Sequence, residues 1–325
     1  MRFTALLTAA TLSAMAPFAT AQTNKFPERP IRMVVAWAAA GGTDTPARIV
    51  AKSLSAQLGT AVTVENREGA SGMIGTEHVA NSPGDGYVIQ YTVADSHSIN
   101  PHLFSRIRYD ALKDFVPIGV VGYSPCILIV NAGLPINTLD ELIAAAKSRP
   151  ESMSFSTWGV GSGGHVRMAA LQDAAGIRFL HVPYKGSAPA LLAVASGEVQ
   201  AMIVPASMAK AQAEAGRIRM LAIDTLERYE LTPEIRTYSE QGFDLNLRFW
   251  HAVFAPKGTP PAVVERLNRA LNAALDDKET SAELERKGIV RLRVGDGSAA
   301  AAKEYLDAEY VRWGKIISSA NIRLD

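Results

Sequence analysis

The sequence predicts an α/β protein of two lobes that are joined by two crossover strands. Strand-like and helix-like segments alternate along the chain, which is typical of parallel sheets covered by helices. This alternation begins at residues 31–36 and restarts at residues 139–148. Two apolar segments, residues 115–130 and 247–255, have no helix of their own. We interpret them as strands that pass between the lobes and form the hinge.

The first lobe is predicted from a β-α-β-α-β pattern with parallel pairing. Residues 31–36 are continuously apolar, as expected for a parallel strand that is buried on both faces. The following helix has apolar residues three or four positions apart, with Pro46 in its first turn and Gly59 beyond its end. Residues 62–65 and 87–91 are the next strands.

The middle of the chain repeats this alternation of strands and helices, and the C-terminal part is helical. Glycines at 176, 197 and 216 end three predicted helices, the first of which begins at Val166. Each glycine is followed by an apolar strand, the last at residues 218–223. Two C-terminal helices carry apolar stripes that are ordinary core faces. We therefore assign residues 22–122 and 250–325 to lobe 1 and residues 123–249 to lobe 2.

The N-terminal residues have the pattern of a secretory signal peptide. Arg2 is positive, residues 3–18 are mostly apolar, and Ala19-Thr20-Ala21 is a small-x-small cleavage site. The apolar run is interrupted and too short for a membrane-spanning helix. The sequence predicts a signal peptide at residues 1–21 and export to a bacterial periplasm.

Composition excludes several classes of function. A formal net charge of +1 argues against a nucleic-acid binder. The single cysteine, Cys126, permits no internal disulfide, and its apolar surroundings predict a buried, inert thiol. The histidines lack a tight metal-binding spacing, and His97 and His102 with Asp95 are interpreted as decorating a loop. We expect a monomer without metal or cofactor.

Two glycine-rich turns are the candidate binding loops. Gly41-Gly42-Thr43-Asp44 follows the first strand, and Gly159-Val-Gly-Ser-Gly-Gly164 follows a strand of the second lobe. Backbone N–H groups at a helix start have no partner inside the helix and attract anions. We expect a small acidic ligand between the two turns. Thr43 or Asp44 is also a good N-cap, and His165 either donates to the anion or caps its helix.

These turns have three alternative interpretations: a dinucleotide site, a loop without a ligand, and part of a hydrolase active site. The second turn matches G-x-G-x-x-G, but residues 174–197 contain no acid to hold a ribose, which opposes a dinucleotide site. A tight loop that binds nothing stays open. An exported serine hydrolase using Ser162 or Ser187 is opposed by the absence of a G-x-S-x-G elbow. The sequence therefore predicts no enzyme and no catalytic residue.

The ordered motifs resemble those of the Bug family of periplasmic solute-binding proteins, the receptors of tripartite tricarboxylate transporters. The most specific agreement is the run His181-Val-Pro-Tyr-Lys-Gly-Ser-Ala-Pro-Ala190. The other shared segments are residues 30–35, 41–44, 64–67, 84–87, 99–101, 109–110, 113–115, 162–165, 255–260 and 313–315. The resemblance implies a Venus-flytrap fold that closes on a carboxylate and delivers it to membrane permease subunits. A sensory partner of a membrane receptor stays open as an alternative.

The resemblance also implies which residues bind the ligand. It assigns a first-lobe loop, a hydroxyl before residues 99–101 and a second-lobe loop, which contain Ala40, Gly41, Gly42, Asp44, Ser96, Thr157, Gly161, Ser162 and His165. Departures from the family pattern are residues 36–40, residues 93–95, Trp158, Val204 and His251.

Aromatic residues near these loops suggest the shape of the ligand. Trp37, Trp158, Trp250 and His251 favour a flat or apolar body behind the acidic end, since aromatic rings supply apolar contact. Val204 stands where an aspartate is frequent, which makes an amino-acid ligand less expected, because a buried ammonium needs a partner. An aromatic and a dicarboxylic ligand both remain open.

Overall fold

The structure is a computed structural model that describes residues 26–245, 247–319 and 322, and it contains two β-sheets with flanking helices. The two-lobed α/β fold is confirmed. The predicted signal peptide, residues 1–21, lies outside the described residues. No helix in the described ranges is long and apolar enough to cross a bilayer.

The described residues form eleven strands. They are β1 (Ile31–Val35), β2 (Val62–Asn66), β3 (Val88–Val93), β4 (Phe115–Ser124), β5 (Cys126–Asn131), β6 (Ser154–Thr157), β7 (Leu180–Pro183), β8 (Ala201–Pro205), β9 (Ile218–Ile223), β10 (Phe249–Pro256) and β11 (Val290–Arg291).

Ten α-helices accompany them in the described ranges. They are α1 (Asp44–Leu58), α2 (Met73–Ala80), α3 (Asn100–Leu103), α4 (Leu139–Ser148), α5 (Gly163–Ala175), α6 (Ser187–Ser196), α7 (Ala206–Glu214), α8 (Pro261–Asp276), α9 (Lys278–Arg286) and α10 (Ala299–Ser319).

Each lobe has its own sheet. Lobe 1 contains the six-stranded sheet β11-β4-β10-β3-β1-β2, in which β1 pairs in parallel with β2 and β3. Lobe 2 contains the five-stranded sheet β7-β6-β8-β5-β9, in which β6 pairs in parallel with β7 and β8. The parallel β-α-β-α-β pattern predicted for lobe 1 is therefore confirmed. The strands β10 and β5 are antiparallel to their neighbours.

The chain passes between the sheets twice. The first passage is at Pro125, so the apolar run of residues 115–130 is two strands and not one. Proline has no N–H to donate to a ladder, which explains the break between β4 and β5 at this point. The second passage lies between β9 and β10. The exact lobe boundaries, after residues 122 and 249, stay a prediction.

The structure differs from the sequence prediction at two elements that position the binding loops. Helix α5 begins at Gly163, three residues before the predicted start at Val166, because glycine's poor helix propensity disguises its first turn. A single π-helical turn, Asp95–Ile99, follows β3 and is completely buried. Nothing in its sequence distinguishes it from a loop.

A continuous core holds the two lobes together. One buried cluster contains Val34 of lobe 1 and Leu128 of lobe 2, together with Trp250 and Trp313. Helix α10 packs against β4 and also against α5. Cys126 is buried, as predicted, and burial raises the pKa of its thiol. Residues of both lobes therefore belong to one buried apolar cluster.

Candidate ligand-binding cleft

The first-lobe loop, residues 37–43, connects β1 to α1 and is held from behind by Asp44. The Asp44 carboxylate is 1% exposed and accepts hydrogen bonds from Ala40 N, Arg48 Nε and Asn66 Nδ2, each at 2.8 Å. Burial raises the pKa of Asp44, but these hydrogen bonds outweigh it and lower the pKa below its usual value. Asp44 therefore fixes the loop as a charged group. Thr43 occupies the N-cap position, but its side chain makes no capping bond.

The outer side of the first-lobe loop is backbone. Ala40 and Gly42 are exposed, Gly41 is half-buried, and a Cβ on Gly42 would meet nothing within 4 Å. Ala40 has a positive φ of 60°, which an L-residue rarely adopts and which the bond from its N–H to Asp44 stabilises. The loop presents main-chain groups at the start of the 15-residue helix α1. It is suited to accept an anion.

A turn of residues 69–72 connects the first-lobe loop with lobe 2. A Cβ on Gly72 would approach the Trp37 ring to 2.8 Å, so the ring lies directly on this turn. Ser71 has a positive φ of 51°, and its Oγ donates to the Val160 carbonyl of lobe 2 at 3.1 Å. Asn100 Nδ2 donates to the Ser71 carbonyl at 2.8 Å. Sequence reasoning missed this turn, although a glycine at each end was a usable signal.

The second-lobe loop, residues 157–162, is stabilised by its own side chains. Thr157 Oγ1 lies 2.7 Å from His181 Nε2 and 3.0 Å from the Gly159 carbonyl. Gly161 N donates to His165 Nδ1 at 3.2 Å, so His165 supports the loop. The rings of His165 and His181 stack with centroids 4.1 Å apart. Burial, and secondarily His165, lowers the pKa of His181 to about 4, so this ring is neutral at neutral pH.

Ser162 is a polar side chain of the second-lobe loop that makes no hydrogen bond to the described residues. It occupies the N-cap of α5, is 2% exposed, and its Oγ has no hydrogen-bond partner among the described residues. It therefore makes no bond to a described histidine, as a serine nucleophile would require. A buried hydroxyl without a partner is costly, which favours a partner that a ligand or water supplies.

Asp95 is the site residue that sequence reasoning did not assign. It belongs to the buried π-helical turn of lobe 1, yet it accepts a hydrogen bond from Gly163 N of lobe 2 at 3.0 Å. Trp158 Nε1 makes a longer contact of 3.5 Å with the other carboxylate oxygen. Burial raises the pKa of Asp95 to about 6, against the opposing effects of Arg167 and of these two donors.

The prediction that His97 and His102 decorate a loop is wrong, because His97 is buried in the same π-helical turn as Asp95 and His102 lies in α3. His97 stacks on Phe254 with centroids 4.2 Å apart, and His102 Nε2 contacts the Tyr310 carbonyl. In the part of the chain that the structure describes, no three His, Cys, Asp or Glu side chains are grouped so that they could hold a metal.

The remaining predicted residues divide between the cleft and the interior of lobe 1. Trp37 and Trp158 are half-buried beside the loops. Ser96 Oγ lies 2.6 Å from Thr92 Oγ1, and His251 uses one ring nitrogen on Tyr91 and the other on Ser124. Trp250 is fully buried. Ligand contacts of the predicted set stay a prediction.

A buried ion pair connects the start of α5 to both passages between the lobes. Arg167 is fully buried, and its Nε lies 2.9 Å from Asp224 Oδ2. Its other nitrogens donate to the carbonyls of Gly163 and Leu247. Asp224 also accepts from Cys126 N at 2.7 Å. The second-lobe loop is thereby coupled to the hinge segments.

The chain is similar to proteins of a known family. The model of the family described as "tripartite tricarboxylate transporter family receptor" (TctC) matches residues 46–322. The protein BugT of Bordetella pertussis is 33% identical over 303 residues, which are 93% of this chain and 92% of BugT.

Two similar solved structures contain carboxylates. Rpa4515 of R. palustris with adipate has a TM-score of 0.85 and 33% identity, and the match covers 92% of this chain and all of that one. MatC of Rhodopseudomonas palustris with bound malate has a TM-score of 0.83 and 27% identity, with 90% of this chain and all of that one covered. The resemblance to the Bug proteins is confirmed, and the chain belongs to the family of tripartite tricarboxylate transporter receptors.

Proposed function

We propose that this chain is a periplasmic receptor that captures a small organic carboxylate between its lobes. It delivers the ligand to the membrane permease subunits of a tripartite transporter and performs no covalent chemistry. The family, and the adipate and malate in similar structures, support the class of ligand. The signal-like residues 1–21 support export.

The first-lobe loop carries the proposal. Asp44 is buried and accepts three hydrogen bonds, and it supports a loop whose residues Ala40 and Gly42 are exposed. Gly42 has open space where a side chain would stand, which leaves room for a ligand group against the main chain. We assign the carboxylate of the ligand to this place.

Lobe closure is the proposed mechanism of capture. The turn of residues 69–72 lies between the two loops, and Ser71 and Asp95 each contact lobe 2. A ligand that touches both loops has its full set of contacts only when the lobes are closed. It favours the closed form by the difference in its affinity for the two forms, and a permease can recognise that form.

A thermal-shift comparison of acids with matched neutral amides tests this function. The pairs are hexanoate with hexanamide and benzoate with benzamide, measured on the mature chain from Gln22. At 100 times its dissociation constant, a ligand should add about 2.7 kcal/mol to the free energy of unfolding. The acids should raise the melting temperature and the amides should not. Equal effects within each pair, or no effect of any acid, would contradict carboxylate capture.

A further inference from the structure

Asp95 brings a carboxylate of the protein to the place where lobe 2 would meet an anionic group of the ligand. Its Oδ1 lies so close to the start of α5 that a Cβ on Gly163 would come within 2.9 Å of it. The carboxylate accepts the Gly163 N–H and faces the Trp158 indole N–H. Both donors belong to lobe 2, whereas Asp95 belongs to lobe 1.

The surroundings of Asp95 are those of an anion site. The amides at the start of the 13-residue helix α5 carry partial positive charge, and the Arg167 guanidinium lies behind Gly163. Ser162 Oγ, at the N-cap of the same helix, is buried without a partner among the described residues. The other titratable groups that interact electrostatically with Asp95 or with Arg167 are Tyr109, Tyr238, Asp224 and Cys126.

The two lobes differ in how their aspartates are used. Asp44 receives all its hydrogen bonds from lobe 1, one of them from Ala40 N, and Gly41 N donates to the Ala38 carbonyl, which leaves the Gly42 N–H without a partner among the described residues. Asp95 reaches across to lobe 2 and occupies the donors that it meets there. One loop is therefore available to a carboxylate, and the start of the other helix already holds one.

We propose that Asp95 is the specificity-determining residue of the cleft, and that it selects ligands with one carboxylate and a neutral far end. This rests on the proposed function, in which the ligand carboxylate binds the first-lobe loop. The second carboxylate of a dicarboxylate would meet Asp95 in place of the donors of Gly163 and Trp158. Two carboxylates that share a buried site cannot both stay ionised without cost. The neutral end of a monocarboxylate packs instead against the rings of Trp37 and Trp158.

Binding of matched acids tests the selection. The pairs differ only in one terminal carboxylate: hexanoate with adipate, and benzoate with terephthalate. Calorimetry on the mature chain from Gln22 at pH 7.5 should give monocarboxylates an advantage of about tenfold or more, the ratio that corresponds to 1.4 kcal/mol. Asp95→Ser vacates the donors and should reduce the ratio to about one or reverse it, through tighter dicarboxylate binding.

Two further variants distinguish the effect of the Asp95 charge from its occupation of the Gly163 N–H and from a general structural effect. Asp95→Asn removes the charge but keeps an oxygen that can accept from Gly163 N, so the ratio should fall less than in Asp95→Ser. Asp114→Asn removes a carboxylate that pairs with Lys257 in lobe 1, and it should leave the ratio unchanged. Circular dichroism and melting temperature confirm that each variant is folded. A merely structural Asp95 would change both affinities of a pair together.

Three results would overturn the proposal. The first is equal binding of both members of each pair by the unaltered protein. The second is a ratio that Asp95→Ser does not change. The third is tighter binding of 6-aminohexanoate than of hexanoate, since Asp95 would then be the partner of a ligand cation. In all three the monocarboxylates still bind, so the proposed function survives; binding of no acid would remove both.

Discussion

The two glycine-rich loops have similar sequences but different electrostatic surroundings. Behind the first-lobe loop, Asp44 is bound by an arginine, an asparagine and a backbone amide of its own lobe. At the second-lobe loop, Asp95 of lobe 1 accepts a hydrogen bond from Gly163 N at the start of α5. A glycine-rich strand-to-helix turn therefore predicts free amides, but the neighbours in space decide whether a ligand or the protein itself occupies them.

Burial raises the pKa of both aspartates, but it acts more strongly on Asp95, and Asp44 has a directly bonded arginine. Three strong hydrogen bonds lower the pKa of Asp44 despite its burial. Asp95 has one short bond and one long contact, so burial prevails and raises its pKa to about 6. We conclude that Asp44 is a permanent charge of the fold, whereas the charge of Asp95 depends on conditions.

The largest expected difference between the two loops is the loss of stability when the arginine near each loop is replaced. Arg167→Met leaves Asp224 buried without its cation, and such a change typically costs about 3–5 kcal/mol. Arg48→Met leaves Asp44 with two other donors, and Arg48 is half exposed, so we expect a loss of about 1 kcal/mol. Urea unfolding of both variants measures the difference. Equal losses would show that the buried pair does not hold the second-lobe loop to the hinge.

The pH dependence of stability should distinguish Asp95 from its amide variant. Its folded pKa of about 6 exceeds the usual aspartate value of 3.8, so its contribution to stability is present below pH 4 and is lost as pH rises through 6. The free energy of unfolding of the unaltered protein, minus that of Asp95→Asn, should fall by about 2 kcal/mol between pH 4 and pH 7. Buried histidines such as His97 and His251 titrate in the opposite sense, but they are common to both proteins. A constant difference across this range would contradict the raised pKa.

Asp44 should show the opposite sign and a smaller effect. Its pKa is lowered, so its contribution is present above pH 4 and is lost as pH falls. Asp44→Ala removes the acceptor of three hydrogen bonds and should cost about 2 kcal/mol at pH 7. It should also weaken binding of every carboxylate, because the first-lobe loop loses its support. If the variant lost affinity for dicarboxylates alone, the first-lobe loop would not be the general carboxylate site.

Alanine substitutions of one glycine at each loop should give the smallest difference in stability. A Cβ on Gly164 would come within 2.6 Å of the Trp158 ring, so Gly164→Ala should cost about 1 kcal/mol after the gain in helix propensity. A Cβ on Gly42 meets nothing within 4 Å, so Gly42→Ala should leave the melting temperature nearly unchanged. Similar losses in the two variants would mean that the second-lobe loop is not tightly packed by Trp158.

The fold was largely predictable because its signals are local. Continuous apolar runs predicted β1 and β9 nearly residue by residue, and apolar spacing with end signals predicted α1. The start of α5 was placed three residues late, since glycines hide a helical turn. The π-helical turn was missed because its hydrogen bonds leave no periodicity in the sequence.

The sequence by itself determined two parallel-stranded lobes, two passages between them and two glycine-rich turns, because each depends on residues within one strand or helix. Only the tertiary structure decided that Asp44 faces inward, that Ser71 reaches lobe 2, and that Asp95 occupies the start of α5. Asp95 and Gly163 are 68 residues apart, so no local pattern could indicate their hydrogen bond. The physical reason is that electrostatic partners are fixed by proximity after folding, whereas backbone conformation is largely fixed by neighbours in sequence.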